Sequence, residues 1–173
     1  MSGRREYRGG MEVEEPLSGV AMAVLREDGQ WRCRRMSDAA LSDLDRAITE
    51  LRATRSTGAV FGMLNVDDEF FLIVRPGPGG VDLLLSDSAA ALYYDVAADV
   101  LDLLRIEPPD EDDDEMWPEG DLGLLADLGM PSGEMVVVVE EDRYPEEQLR
   151  IIAQRCGFAE QYDAVMADLD RVP

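Results

Sequence analysis

The hydrophobic pattern at the start of the chain is that of a β-hairpin. Leu17 to Leu25 is an extended apolar run. In the next run, Trp31, Cys33 and Arg35 alternate with Arg32 and Arg34. Between these runs, Asp28 and Gly29 supply the pair of residues that a tight primed turn requires. The first two elements are therefore predicted to be paired antiparallel strands.

A helical repeat follows the hairpin. Its apolar positions recur at three- and four-residue steps, namely at Leu41, Leu44, Ile48 and Leu51. Ser37 is a suitable N-cap, because its hydroxyl can accept a hydrogen bond from the first turn. The helix is predicted to end near Thr54, before Gly58.

Three strand-like runs come next, each separated from the following one by turn-forming residues. They are Ala59 to Val66, Phe70 to Arg75 and Val81 to Leu85. Asp67-Asp68-Glu69 separates the first pair, and the segment Pro76 to Gly80, rich in proline and glycine, separates the second. Short turns between consecutive strands predict an antiparallel meander.

A second helix is predicted to begin at Asp87 or Ser88. Its apolar stripe consists of Leu92, Val96, Val100 and Leu103, with Tyr93 and Tyr94 beside it. The order strand, strand, helix, three strands, helix predicts an α+β fold. In this fold a single antiparallel sheet has helices packed on one face.

The C-terminal part, residues 120–170, is predicted to be helical. Residues 132–144 leave two alternatives open, because four consecutive valines favour a strand whereas Ser132 and the flanking glutamates suit a capped buried helix. The helix is the preferred interpretation. Three further helical segments are predicted: Leu122 to Leu128, Pro145 to Cys156, and Ala159 to about Leu169.

Acidic residues are in excess only after residue 55. The chain has 38 acidic and 16 basic residues, no His, and a formal charge of -22. All of the basic residues are Arg, and residues 1–55 contain 10 Arg and 10 acids. A protein without His lacks the side chain whose pKa lies closest to neutrality, and one so acidic repels polyanions. We therefore predict no catalytic residue, no cofactor, no metal site and no direct contact with nucleic acid.

The chain is long enough for one hydrophobic core. We predict a disordered tail at residues 1–16 and a single α+β domain at residues 17–173. Within it, an acidic loop is predicted at residues 107–119, because Glu107 to Glu115 contains no apolar residue that could join a core.

The acidic loop is also the predicted partner-binding site. Its candidate contacts are Trp117 and the acids Asp110, Glu111, Asp112, Asp113, Asp114 and Glu115. An aromatic anchor flanked by carboxylates suits docking on a basic partner. For the acidic run, a solvated linker is the alternative interpretation. For Trp117, capture by the core is the alternative. An EF-hand is rejected, since Glu115 occupies the position that needs Gly.

Other candidate groups have simpler interpretations. Arg32, Arg34 and Arg35 lie on one short strand and are interpreted as solvent-facing charge rather than an RNA site. Cys33 and Cys156 are far apart in the sequence and in the predicted order of elements, so we expect reduced thiols. No apolar run approaches the length of a membrane helix, and a cytoplasmic protein is predicted.

Five motifs, taken in order along the chain, resemble one known family. They are Asp67 to Phe71, Ser86 to Ala90, Gly120 to Gly129, Tyr144 to Glu147, and Ile152 to Phe158. In this order they resemble the actinobacterial family of tRNA adenosine deaminase-associated proteins. The resemblance implies a protein partner, the deaminase, but no activity and no catalytic residue that could be transferred.

The chain does not contain the residues of the deaminase itself. A zinc deaminase needs His or Cys ligands and a glutamate in an H-x-E setting, followed by a P-C-x-x-C pair. This sequence has no His, and its two cysteines are 123 positions apart. We therefore expect a non-catalytic interaction protein.

Two alternative functions stay open at this point. The acidic surface could mimic a nucleic acid and compete for a basic tRNA-binding surface. A pocket between the sheet and the second helix, with Arg75, Tyr93 or acids converging on it, could bind a small ligand or carry out a reaction.

Overall fold

The computed structural model describes residues 4–8, 11–15, 17–112 and 117–171, with side chains from residue 17 to residue 169 of these ranges. The strands are β1 (Arg4–Arg8), β2 (Met11–Glu15), β3 (Gly19–Glu27), β4 (Gln30–Arg35), β5 (Ala59–Val66), β6 (Phe70–Gly77), β7 (Gly80–Leu85) and β8 (Glu119–Gly120). The α-helices are α1 (Leu44–Ala53), α2 (Asp95–Leu104), α3 (Ser132–Glu140), α4 (Pro145–Cys156) and α5 (Ala159–Arg171).

Strands β3 to β8 form one sheet in the order β4-β3-β5-β6-β7-β8. Every neighbouring pair is antiparallel, which confirms the predicted hairpin and meander. Asp28 and Gly29 join β3 to β4 with φ of 51° and 77°. These positive values are those of a primed turn, whose twist matches that of the paired strands.

Strands β1 and β2 pair with each other in a separate two-stranded ribbon. They lie inside the segment that the sequence predicts as a disordered tail, residues 1–16. A two-stranded ribbon requires only pairing between adjacent strands. The boundary of the α+β domain at residue 17 stays a prediction.

Both faces of the main sheet are buried. Because successive side chains of a strand point to opposite sides, Ala21 and Ala23 of β3 contribute to one apolar cluster and Met22 and Val24 to another. The first face is covered by α1 and α2, as predicted. The helical C-terminal region covers the second face, a placement that the sequence pattern did not specify.

Helix α1 begins later than predicted. Ser37 precedes a 3-10 turn, Asp38–Leu41, and α1 follows with Asp43 as its N-cap. The Asp43 carboxylate accepts a hydrogen bond from the Arg46 N–H at 3.3 Å. Ser37 donates its N–H and its hydroxyl to Glu50 instead, at 3.0 and 2.9 Å. Ser37 is therefore bonded to the Glu50 carboxylate, and its hydroxyl does not cap a helix as predicted.

A small residue allows α1 to lie close to the sheet. A Cβ atom placed on Gly62 of β5 would lie 3.0 Å from the Leu51 Cδ1 atom of α1. That separation is shorter than an ordinary van der Waals contact, so Gly62 sets how closely the helix can pack.

Helix α2 also follows a 3-10 turn, Ser88–Leu92, whose N-cap is Asp87. The residues of α2 that are buried on the first face are Val96, Ala97, Val100 and Leu101. The predicted core residue Leu103 is 53% exposed, so this part of the prediction is wrong. Val96 and Val100 are buried as predicted, and the buried side of α2 continues through Ala97 and Leu101 rather than through Leu103.

The C-terminal helices agree with most of the predicted bounds. Residues Ser132–Glu140 form a helix, which settles the ambiguity of the valine run. Pro145 begins α4, and Gly157 ends it with φ of 110°. The apolar segment predicted as a helix at Leu122 to Leu128 is instead a series of turns that ends in the 3-10 turn Ala126–Leu128.

The turn between β5 and β6 joins the sheet to helices on both faces. The Asp67 carboxylate accepts hydrogen bonds from the Ser18 N–H at 2.8 Å, the Ser18 hydroxyl at 3.0 Å and the Tyr94 hydroxyl at 3.0 Å. The Asp68 carboxylate accepts a longer one, 3.4 Å, from the Glu146 N–H at the start of α4. We call Asp67 and Asp68 the turn junction.

Removal of the Asp67 carboxylate should destabilise the fold more than removal of a matched turn aspartate. Both Asp28 and Asp67 have φ above 50°, but Asp28 is exposed and outside the turn junction. We expect Asp67→Ala to lower the free energy of unfolding by about 2 kcal/mol more than Asp28→Ala, since it removes hydrogen bonds to a charged acceptor. Urea denaturation of both variants measures the difference, and equal losses would contradict a junction role.

Candidate partner interface

The space between the sheet and α2 is filled by side chains. Val96, Val100 and Leu101 are each at most 1% exposed and belong to the first-face core. Tyr93 points away from this core and is 57% exposed. The side chains that were predicted to converge on a pocket in this space do not meet there. The packed core argues against a ligand site between the sheet and α2.

Arg75 instead holds a C-terminal turn against β6. Its Nη1 and Nη2 atoms donate to the two carboxylate oxygens of Asp127 at 2.6 and 2.8 Å, and Nη1 also donates to the Leu124 carbonyl at 2.7 Å. This hydrogen bonding lowers the pKa of Asp127 below its ordinary value. An open cleft of about 670 Å³ lies beside the pair.

A second arginine of that cleft is also engaged. Arg52 of α1 donates to the carbonyls of Gly77 and Gly80, at 3.1 and 3.2 Å, and so fastens the β6–β7 hairpin. The glycines of this segment therefore form a hairpin turn, as predicted. Both cationic groups of the cleft hold protein atoms, which assigns them a structural role.

The predicted acidic loop is described in part. Asp110, Glu111 and Asp112 are exposed in a turn region after α2. Asp113, Asp114 and Glu115 lie outside the described residues. Their role in partner binding stays a prediction.

Trp117 fixes the far end of the acidic loop to the domain. It is half-buried, and its indole N–H donates to the Glu119 carboxylate at 3.0 Å. Its carbonyl accepts a hydrogen bond from the Ser88 N–H at 2.9 Å. Glu119 itself belongs to β8, so the predicted loop, residues 107–119, reaches into the edge of the sheet. A partner could contact Trp117 only through its exposed part.

A cluster of carboxylates lies on the outer side of the first-face helices. Helix α2 contributes three of them at spacings of four and three residues, which places them on one side of the helix. We call this cluster the acidic α1–α2 face; its members are Asp43, Asp45, Asp95, Asp99 and Asp102. Helix α2 contains no basic residue that could balance them.

Asp99 lies at the centre of the acidic α1–α2 face. Partial loss of water raises its pKa above the ordinary value, and repulsion by the surrounding carboxylates raises it further. Those carboxylates are Asp43, Asp95, Asp45 and Asp102. Asp99 is therefore surrounded by like charges, and a cationic partner would relieve this repulsion.

An apolar side chain lies among these carboxylates. A surface depression of about 280 Å³ is lined by Leu44, Asp45, Asp99, Asp102 and Leu103. Leu103 is more than half exposed and is flanked by acids, so it has the properties of an anchor inside a charged rim. Sequence reasoning missed it, because it assigned Leu103 to the core.

The acidic loop starts close to the acidic α1–α2 face. Arg105 ends α2 in a left-handed conformation, and Ile106 packs back against the first-face core. The exposed acids at 110–112 then follow within a few residues. The predicted loop and the observed face can therefore contribute to one continuous interface.

Both cysteines pack against the second-face cluster, although they are far apart in the sequence. They are free thiols. Burial raises the pKa of Cys33 to about 12 and that of Cys156 to about 11. A thiol with a raised pKa is a poor nucleophile, so these cysteines act as small apolar side chains.

Within residues 17–112 and 117–169, no group of acidic or sulfur side chains has the geometry to hold a metal ion. Among the helices in the described part of the chain, none is both long and apolar enough to span a membrane.

Neutralisation of Asp99 should stabilise the protein in a pH-dependent way. Because folding raises this pKa, the ionised carboxylate lowers stability, and the loss grows as pH rises from the unfolded-state value of about 4. We expect Asp99→Asn to raise the free energy of unfolding at pH 7 by a few tenths to about 1 kcal/mol. The gain should shrink towards about pH 4.

Urea denaturation at several pH values measures this gain. Asp142→Asn is the control, because it removes the same charge from the exposed segment between α3 and α4. We expect the control to change stability by less than about 0.5 kcal/mol. A gain from Asp99→Asn that is equal at all pH values would contradict the electrostatic account.

The comparisons with known proteins agree with the resemblance of the five motifs. Residues 19–159 match the family described as Rv3753c-like tRNA adenosine deaminase-associated protein. The chain is also 54% identical over 156 residues to Protein Rv3753c of Mycobacterium tuberculosis (strain ATCC 25618 / H37Rv), which covers 88% of this chain and 90% of that protein. No solved structure matches significantly. The chain therefore belongs to the Rv3753c-like tRNA adenosine deaminase-associated protein family.

Proposed function

We propose that the protein is a non-catalytic accessory protein that binds a tRNA adenosine deaminase. The acidic α1–α2 face and the acidic loop dock on a basic surface of that enzyme. The observation that carries the proposal is the exposed Leu103 beside the carboxylates of Asp45, Asp99 and Asp102. The family description supports the choice of partner.

Charge complementarity accounts for the approach of the two proteins. A net charge of -22 attracts a basic surface and raises the rate of encounter. At physiological ionic strength this attraction extends only about 8 Å, so contact groups are also needed. Leu103 supplies apolar contact area, and Asp99 and Asp102 beside it supply partners for arginine or lysine side chains.

The available side chains support the proposal of a non-catalytic role. The sequence contains no His, which is the most common general acid or base near neutral pH. Burial raises the pKa of Cys33, Cys156 and Tyr162, so these groups stay protonated and unreactive at pH 7. The charged groups of the open cleft, Arg52 and Arg75, hold protein atoms.

A second candidate is a nucleic-acid mimic that occupies the tRNA-binding surface of the deaminase. It is favoured by the aspartates Asp95, Asp99 and Asp102, whose spacing places three carboxylates along one side of α2. Both candidates use the same face. They differ in whether tRNA and this protein bind the enzyme together or exclude each other.

Loss of charge or of the apolar anchor on α2 should weaken binding to the deaminase. We expect the double variant Asp99→Asn, Asp102→Asn to slow association several-fold, because rim charges act mainly on the on-rate. Leu103→Ala should raise the dissociation constant by roughly tenfold, as expected of an interface anchor. Surface plasmon resonance with immobilised deaminase at rising salt measures both effects.

The matched control is the double variant Glu140→Gln, Glu160→Gln. It removes the same total charge from exposed positions on α3 and α5, away from the acidic α1–α2 face. It should leave the association rate nearly unchanged. An equal effect of both double variants would show that only net charge matters, and absence of binding at low salt would refute the proposal.

Deletion of residues 110–115 tests the part played by the acidic loop. We expect weaker binding to the deaminase with an unchanged unfolding transition, because the exposed end of this segment lies outside the core. Full affinity after deletion would restrict the interface to α1 and α2. Addition of tRNA to the intact complex then separates the two candidates: displacement supports the mimic, and a ternary complex supports the accessory role.

A further inference from the structure

A second exposed apolar surface lies on the other side of the sheet. Helix α3 has the sequence SGEMVVVVE and covers the second-face core with Met135 and Val138. Its outward residue Val137 is 54% exposed, and Tyr144, just before α4, is 66% exposed. Val137 is thus an apolar side chain that protrudes among the other exposed positions of α3, which are Ser132, Gly133 and Glu140.

A groove runs beside Val137, between α3 and α4. It has a volume of about 270 Å³, and Met130, Val138 and Ile151 are among its apolar lining residues. Gln148 of α4 donates to the Val138 carbonyl at 2.9 Å and is buried, so the two helices are held at a fixed spacing. The groove is therefore a pre-formed feature of the helix pair, which we call the α3–α4 groove.

The rim of the α3–α4 groove carries balanced charges. Arg155 pairs with Glu134 at 3.3 Å on one part of the rim. Arg143 pairs with Glu141 at 2.6 Å and with Glu147 at 3.6 Å on another. Three of the six Arg that follow residue 55, Arg143, Arg150 and Arg155, lie on or next to these helices. Among the residues that line the groove, two acids, Glu134 and Glu141, are matched by two arginines, Arg143 and Arg155.

We propose that the α3–α4 groove binds the same groove of a second copy of this chain. A two-fold dimer brings one patch onto itself, so the patch must carry both members of each contact. This patch has a protruding apolar residue, Val137, next to an apolar groove, and both an arginine and a glutamate on its rim. Val137 of each copy enters the groove of the other.

The charges favour a second copy over a basic partner at this site. A basic partner gains little here, because the rim glutamates already have arginine neighbours. Two copies with a charge of -22 each repel one another in most orientations, and the neutralised rim is where that repulsion is smallest. The acidic α1–α2 face lies on the opposite side of the sheet and stays accessible in the dimer.

These features predict an unusual dependence on salt. Helices of 9 and 12 residues offer an interface at the small end of the usual range. We therefore expect a reversible dimer with a dissociation constant on the order of 10 µM. Salt screens the long-range repulsion and leaves the apolar contact intact, so dimerisation should strengthen with ionic strength.

Sedimentation equilibrium of the full chain tests the proposal at low and high salt. We expect a monomer–dimer equilibrium that shifts towards dimer as salt is raised. A monomer throughout the concentration range at both salt levels would overturn it. Dimerisation that weakens with salt would also overturn it, because that trend belongs to an ionic interface.

Two single-residue variants locate the contact. We expect Val137→Glu to raise the dimer dissociation constant by at least about tenfold, since the new charges face each other across the two-fold axis. Leu103→Glu adds the same side chain at a similarly exposed position on the first face and should leave dimerisation unchanged. Circular dichroism confirms that both variants are folded. A dimer that resists Val137→Glu, or that is lost with Leu103→Glu, contradicts the proposed surface.

A chemical crosslink gives an independent readout. In Val137→Cys, the new thiols of two copies lie close together if the grooves face each other, and mild oxidation should give a disulfide-linked dimer. The native cysteines are partly buried, and Leu103→Cys serves as the exposed control. Equal crosslinking of both variants would show random collision and overturn the arrangement.

Discussion

Burial of both faces of the main sheet is the constraint on which the rest of the structure depends. Successive side chains of strands β3, β5 and β6 belong alternately to two apolar clusters, so they are buried on one side of the sheet or the other. Such strands have a nearly continuous apolar sequence, because neither face meets water. Apart from the edge strand β4 and the strand ends, charged side chains therefore lie mainly in turns and on the outer sides of helices. A binding surface in this protein must be an outer surface, and both surfaces proposed above lie on helices.

The polar groups that remain near the sheet serve mainly as joints. Asp67 connects the β5–β6 turn to Ser18 and Tyr94, and Arg75 secures the turn that contains Asp127. Several of the motifs that carry the family resemblance fall at these joints. Asp67 to Phe71 contains the turn junction, and Ser86 to Ala90 contains the cap of a 3-10 turn. A resemblance of this kind identifies the fold reliably and contains little information about a binding site.

The sequence predicted those elements whose ends are set by local chemistry. The Asp28-Gly29 turn, the strand Ala59–Val66, and the α4 limits at Pro145 and Gly157 depend only on backbone preferences of a few adjacent residues. Orientation was harder to predict, because a helix with apolar residues on two neighbouring stripes can present either of them. Leu101 rather than Leu103 is buried because of where the sheet lies, and the sequence of α2 does not contain that position. The acidic α1–α2 face could not be predicted for the same reason.

The two proposed surfaces respond to salt in opposite ways and lie on opposite sides of the sheet. The acidic α1–α2 face attracts a basic partner less as ionic strength rises, whereas the α3–α4 groove gains from the same screening. Because they lie on opposite sides of the sheet, a dimer formed through the grooves directs two acidic faces outwards. A dimer of this kind is bivalent towards a partner that is itself oligomeric, and its avidity can greatly exceed the affinity of one face. Self-association would then strengthen partner binding without any change in the acidic face itself.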